Sequence, residues 1–201
     1  DPAAVEWMQK AAESEPGEFQ SMAHIARGIL FQRKSTYELG VKEFEKALWK
    51  AKKPEADTLR AFALTGLGNC YKHSGDYPKA LKYLYKALNI FENRKDTAGM
   101  ARVNSYIGEI YMQKNDFDSA KETLKLAMKM LEHDKAKSGW LTAAHPLANV
   151  YGMSGDYKSA LAIDEEGIKI CKQIGSPAML TSFYDNKANC FMYSGQLDSA
   201  E

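Results

Sequence analysis

ALTGLGNCYKHSGDYPKALKYLYKAL, residues 63–88, returns 40 residues later as VNSYIGEIYMQKNDFDSAKETLKLAM, residues 103–128. Another step of 40 gives AAHPLANVYGMSGDYKSALAIDEEGI, residues 143–168, and a third gives FYDNKANCFMYSGQLDSAE, residues 183–201. A step backwards gives AHIARGILFQRKSTYELGVKEFEKAL, residues 23–48. Five repeats share one register without an insertion. Apolar and small residues recur at helical spacing on both sides of a central break, the pattern of two facing amphipathic helices. A helix pair this short cannot bury its apolar face alone. Copies must therefore stack, and stacking leaves a groove as the main recognition surface. The expected function is binding.

The break reads as a helix stop followed by a helix start. Gly75, Asn115, Gly155 and Gly195 share one column and tolerate the left-handed conformation that closes a helix. Asp76, Asp116 and Asp156 follow, where a carboxylate can accept hydrogen bonds from the free N–H groups of a new helix. Pro78 sits in the first turn, where proline is tolerated. Close helix approach needs small residues. Gly28, Gly68, Gly108, Ala148 and Ala188 supply them on the first helices, and Gly40, Ala80, Ala120, Ala160 and Ala200 on the second. Ala47, Ala87, Ala127 and Gly167 make a third such column. Rings at Phe31, Tyr71, Tyr111, Tyr151 and Phe191, and at Tyr37, Tyr77, Phe117 and Tyr157, are expected in the core.

Composition narrows the function classes. The 201 residues are 45% hydrophobic and 26% charged, with 27 basic against 26 acidic residues. That is enough apolar material for a core, with no apolar run of membrane-spanning length, and a soluble protein is expected. No basic block marks a nucleic-acid binder. Cys70, Cys171 and Cys190 form no zinc spacing. Cys70 and Cys190, three repeats apart, stand on the order of 25 Å or more from each other, too far for a disulfide. No metal or cofactor is expected, and the cysteines leave cytoplasm and periplasm both open. The chain opens on Asp1-Pro2 without an initiator Met, and Glu201 falls a few residues into the second helix of the fifth repeat. This reads as part of a longer protein, with residues 1–20 as an N-terminal helix or half-repeat and residues 21–201 as the solenoid.

A small residue, an aromatic three on, then Gly-Asp-Tyr and Ala: this pattern resembles the tetratricopeptide repeat family over roughly Met22 to Glu201. The 40-residue spacing resembles the subgroup with extended second helices found in Pins-type adaptors and bacterial signalling regulators. The resemblance implies an all-α, right-handed superhelical solenoid of antiparallel helix pairs. Its concave wall, made by the first helices, binds peptides or partner proteins.

One column departs from the pattern. Phe44, Leu84 and Leu124 are large and apolar, but the fourth repeat carries Asp164. With the inter-repeat turn near Gly175 and Ser176, antiparallel pairing sets Phe44 against Leu67, Leu84 against Ile107, Leu124 against Leu147, and Asp164 against Lys187. An Asp164–Lys187 ion pair is expected, the alternative being two separately solvated charges.

A groove column reads Ile29, Asn69, Glu109, Asn149, Asn189. A side-chain amide offers donors and an acceptor, so it can pair with the backbone of an extended peptide regardless of that peptide's side chains. In the family, asparagines in this column commonly do so; the plainer alternative is solvation of a helix face. Arg102, Tyr106, Lys72, His73, His145, Met112, Met153, Met192 and Tyr193 neighbour it. The family's clamp for chaperone C-terminal tails is absent. At the first repeat the wall is apolar, with Met22, Ile25, Ala26, Ile29 and Phe62, and a helix predicted over residues 3–14 could cover it. Pro146 is expected to kink the first helix of the fourth repeat and free a carbonyl near Thr142.

Ser105, His145 and Asp185 share a column, but neighbouring first helices lie on the order of 10 Å apart, too far for a hydrogen-bonded triad. A non-enzymatic protein- or peptide-binding scaffold is expected, the sensory or interaction region of a larger bacterial regulator. The alternative is a regulatory domain that captures a folded partner, or its own further C-terminal part, through apolar and Met-rich patches.

Overall fold

The computed structural model describes residues 17–52, 56–131 and 138–195. Among them are nine helices and no strand: α1 (Glu18–Arg33), α2 (Tyr37–Lys50), α3 (Asp57–His73), α4 (Tyr77–Asn93), α5 (Thr97–Gln113), α6 (Phe117–Met130), α7 (Ser138–Met153), α8 (Tyr157–Ile174) and α9 (Pro177–Tyr193). Two compact units divide the chain, Asp1–Asp96 and Thr97–Glu201. In the N-terminal unit each helix packs on the next, and α1 also touches α3. In the C-terminal unit α5 to α9 pack serially in the same way, and the first helices touch each other again, α5 with α7 and α7 with α9. Within each unit, first helices thus stand side by side as a wall. The helix expected over residues 3–14 lies outside the described residues, as does Ala200.

The hairpin turns follow from local chemistry. Gly75, Asn115, Gly155 and Gly195 have φ of 77, 59, 82 and 79°, and Ser35 occupies the same place at 56°. Left-handed backbone there lets the next N–H return to the last helical turn: Asp76 to the Tyr71 carbonyl at 3.0 Å, Asp116 to Tyr111 at 3.0 Å and Asp156 to Tyr151 at 2.9 Å. Each aspartate then caps the following helix, its carboxylate accepting from the N–H of Lys79, Ser119 or Ser159 at 3.1, 3.2 and 3.1 Å. The turns between repeats use the same closure at Lys95 and Gly175, both at positive φ.

Packing confirms the small-residue columns and explains them. A Cβ on Gly68 would lie 2.5 Å from Leu84 Cγ, and one on Gly108 would lie 2.5 Å from Leu124 Cγ. The large apolar column therefore drops into the glycine column. Phe44, Leu84 and Leu124 have no exposed surface. Phe44 clusters with Leu67 and Leu124 with Leu147, as the antiparallel pairing predicts.

One expectation needs correcting. The ring columns are half-buried rather than core: Tyr71 packs on the Phe44 cluster and Tyr111 and Tyr151 on the Leu124 cluster, and these and Phe191 keep part of the ring at the surface. Lysines lie over two of these rings, with Lys79 Nζ 5.3 Å from the Tyr71 centroid and Lys121 and Lys125 5.6 and 5.5 Å from that of Tyr151. α7 runs on through Pro146, from Ser138 to Met153.

Candidate functional site

In the C-terminal unit, α7, α8 and α9 enclose a cavity of about 380 Å³. Asn149, Gly152 and Met153 line it from α7, Tyr157 from the start of α8, and Asn186, Asn189, Cys190 and Tyr193 from α9. Asn149 and Asn189 occupy one repeat position on adjacent first helices, so the repeat itself brings their amides to the same opening. Met153 and Tyr193 stand at its rim, 56% and 75% exposed. An adaptable thioether and a rigid phenol beside paired amides can grip an apolar side chain while the amides take backbone hydrogen bonds.

Asn186 was not singled out by the sequence. It occupies the column Gly66, Tyr106, Pro146, Asn186, and its signal is its spacing from Asp164: Phe44 meets Gly66 across the same 22-residue interval. Its Nδ2 donates to both oxygens of Asp164 at 2.8 and 2.9 Å. This overturns the expected ion pair. Lys187 instead reaches Glu165, Nζ to Oε1 3.0 Å, because one residue along α9 rotates a side chain by about 100° from the buried seam towards solvent. Asp164 has no exposed surface. Burial pushes its pKa up to about 6, against the Asn186 hydrogen bond and the Lys187 charge, with Glu165 adding to the rise. Engaged through Nδ2, Asn186 has its carbonyl oxygen to offer the cavity.

The remaining candidates divide by location. Arg102, Tyr106 and His145 belong to the same unit but do not line the cavity. His145 packs edge-on against the buried Phe183, ring centroids 5.4 Å apart. Burial lowers its pKa, Glu109 opposing, which favours the neutral ring near neutral pH. Ser105 is buried and donates its hydroxyl proton to the Ala101 carbonyl at 3.0 Å. Asn69 and Lys72 lie in the N-terminal unit. Asn69 Oδ1 is buried without a hydrogen-bond partner among the described residues. Lys72 is 8% exposed, so its ammonium stem is packed rather than presented. No group of three or more His, Cys, Asp or Glu side chains that could hold a metal occurs among the described residues. No helix among them is long and apolar enough to cross a membrane.

A tetratricopeptide repeat profile matches residues 19–93 and 59–133, and a second profile of that description matches residues 140–174. The chain belongs to the tetratricopeptide repeat family. Its fold is the all-α helical-hairpin repeat of that family, as three solved structures also show. BtubC (BKLC) from P. vanneervenii superposes with a TM-score of 0.75 at 18% identity, over 99% of this chain and 83% of that one. The apo form of RapI gives 0.71 at 16% identity, over 99% and 85%. NprR in complex with its cognate peptide NprX gives 0.74 at 14% identity, over 98% of this chain and 56% of that one. No curated protein sequence matches this tetratricopeptide repeat chain.

Proposed function

We propose that this chain is a protein-interaction module that takes an extended peptide segment across α7 and α9, with Asn149 and Asn189 pairing to the peptide backbone. The observation that carries this reading is the amide-lined cavity of about 380 Å³, with Met153 and Tyr193 exposed at its rim. Asn186, held by Asp164, is a third amide at the same opening. The likeness to NprR, whose structure holds a cognate peptide, supports the reading. Peptide capture of this kind suits the sensory or interaction region of a larger bacterial regulator. Arg102, Tyr106 and His145 then act outside the pocket, on the flanks of the bound segment. Catalysis has no part in the proposal.

A second reading, capture of a folded partner, is favoured by one observation: Phe19, Met22 and Ile29 on α1 are 63, 54 and 42% exposed. Selection of phage-displayed random peptides against the wild-type chain tests the first reading. Peptides recovered there should bind N149A/N189A at least about fivefold more weakly, from two hydrogen bonds of about 0.5 to 1.5 kcal/mol each. Unchanged affinity would discard it.

A further inference from the structure

The N-terminal unit carries a second concavity, unlike the first in chemistry. His24 and Arg27 of α1 and Lys42, Glu45, Lys46, Trp49 and Lys50 of α2 surround an open hollow of about 640 Å³. Lys42, Lys46 and Lys50 recur every fourth residue and so stack along one stripe of α2, where like charges repel unless something offsets them. Beneath them Glu43 is 4% exposed. It takes contacts from His24 Nδ1 at 2.8 Å, Lys46 Nζ at 2.9 Å and Arg27 Nη1 at 3.4 Å. Burial raises its carboxyl pKa, but the hydrogen bonds from His24 and Lys46 and the charges of Arg27 and Lys46 outweigh that and hold it low, so it stays ionised. Glu43 thus offsets one charge and fixes the direction of Arg27 and Lys46. Lys42 and Lys50 have no carboxylate partner among the described residues, and the exposed Glu45 is the one acid on the lining itself. On a chain whose net charge is +1, this excess is local.

Trp49 decides what kind of anion fits. It is 63% exposed, and its ring already carries two cations, Lys50 Nζ at 4.8 Å and Lys52 Nζ at 4.6 Å from the centroid. A nucleic-acid base stacking on the indole would compete with these ammonium groups for the ring and give up cation–π attraction. A carboxylate does not compete for the ring, since it pairs with the same ammonium groups from outside and leaves them over the indole.

We infer that the α1–α2 face of the N-terminal unit is a docking surface for an acidic peptide segment of a protein partner, separate from the amide-lined cavity of the C-terminal unit. The carboxylates of that segment pair with Arg27, Lys42, Lys46 and Lys50, with Lys50 still over the Trp49 ring. Binding falls as salt rises, because surface charge pairs are screened.

The test is fluorescence anisotropy with fluorescein-labelled octaglutamate at low salt, beside labelled octauridylate and octalysine. The wild-type chain should bind octaglutamate more tightly than either. K42E/K50E should weaken it by about tenfold, as expected for losing two steering charges. E45K should tighten it by about threefold, a gain that misfolding cannot imitate. K114E/K129E, exposed lysines of the other unit with the same change in net charge, should leave it unchanged. Equal weakening by K114E/K129E, no response to K42E/K50E, or tighter binding of octauridylate would each overturn the inference.

Discussion

Replacing Asp164 with Asn should stabilise the protein above neutral pH, by an amount that depends on pH in a defined way. Asp164 has no exposed surface and accepts from Asn186 alone among the described residues. Burial lifts its pKa from 3.8 to about 6. The folded state therefore holds the proton more tightly than the unfolded chain. Whatever stability this proton provides is complete below the unfolded value and is lost as pH rises from about 4 through about 6. A gap of about two units, at about 1.4 kcal/mol each, sets the loss near 3 kcal/mol by pH 8. Asn has nearly the same shape, keeps an acceptor for Asn186 Nδ2, and carries no charge at any pH. Urea denaturation followed by far-ultraviolet circular dichroism should find D164N more stable than wild type by about 3 kcal/mol at pH 8, and nearly equal near pH 4. In heating experiments the gain at pH 8 corresponds to a Tm rise of about 6 to 12 °C. A difference that is flat with pH, or a D164N protein weaker at pH 8, would mean that Lys187 and Asn186 stabilise the carboxylate more than burial penalises it.

Two other substitutions probe the scaffold. Gly108→Ala gains helix propensity of about 1 kcal/mol but sets a Cβ 2.5 Å from Leu124 Cγ, so a net loss of about 1 to 2 kcal/mol is expected in urea titrations. Asp156→Ala removes the carboxylate that accepts from Ser159 N–H, and the same measurement should record a lower urea midpoint than wild type.

Turns and close contacts were legible in the sequence because they depend on neighbours along the chain or on one repeat interval. Gly-Asp at each break gives left-handed closure and a capping carboxylate, and glycine at a fixed distance from Leu84 or Leu124 gives tight helix approach. Asp164 shows where this resolution ends. A turn centred between Gly175 and Ser176 differs by one residue from one centred on Gly175, and that residue exchanges Lys187 for Asn186. Burial of the rings was overestimated because lysines take up the outer surface of Tyr71, Tyr151 and Phe191. The Trp49 face was invisible for another reason: its cations come from two helices, and nearly equal numbers of acids and bases conceal them in the total.

The most direct measurement of peptide capture is a titration of the nitrogen-15 labelled chain with a selected peptide, following the side-chain amide signals of asparagine by NMR. The account predicts that the NH₂ signals of Asn149 and Asn189 move with increasing peptide and report one dissociation constant. Signals from both that stay fixed at saturation, while resonances elsewhere shift, would contradict it.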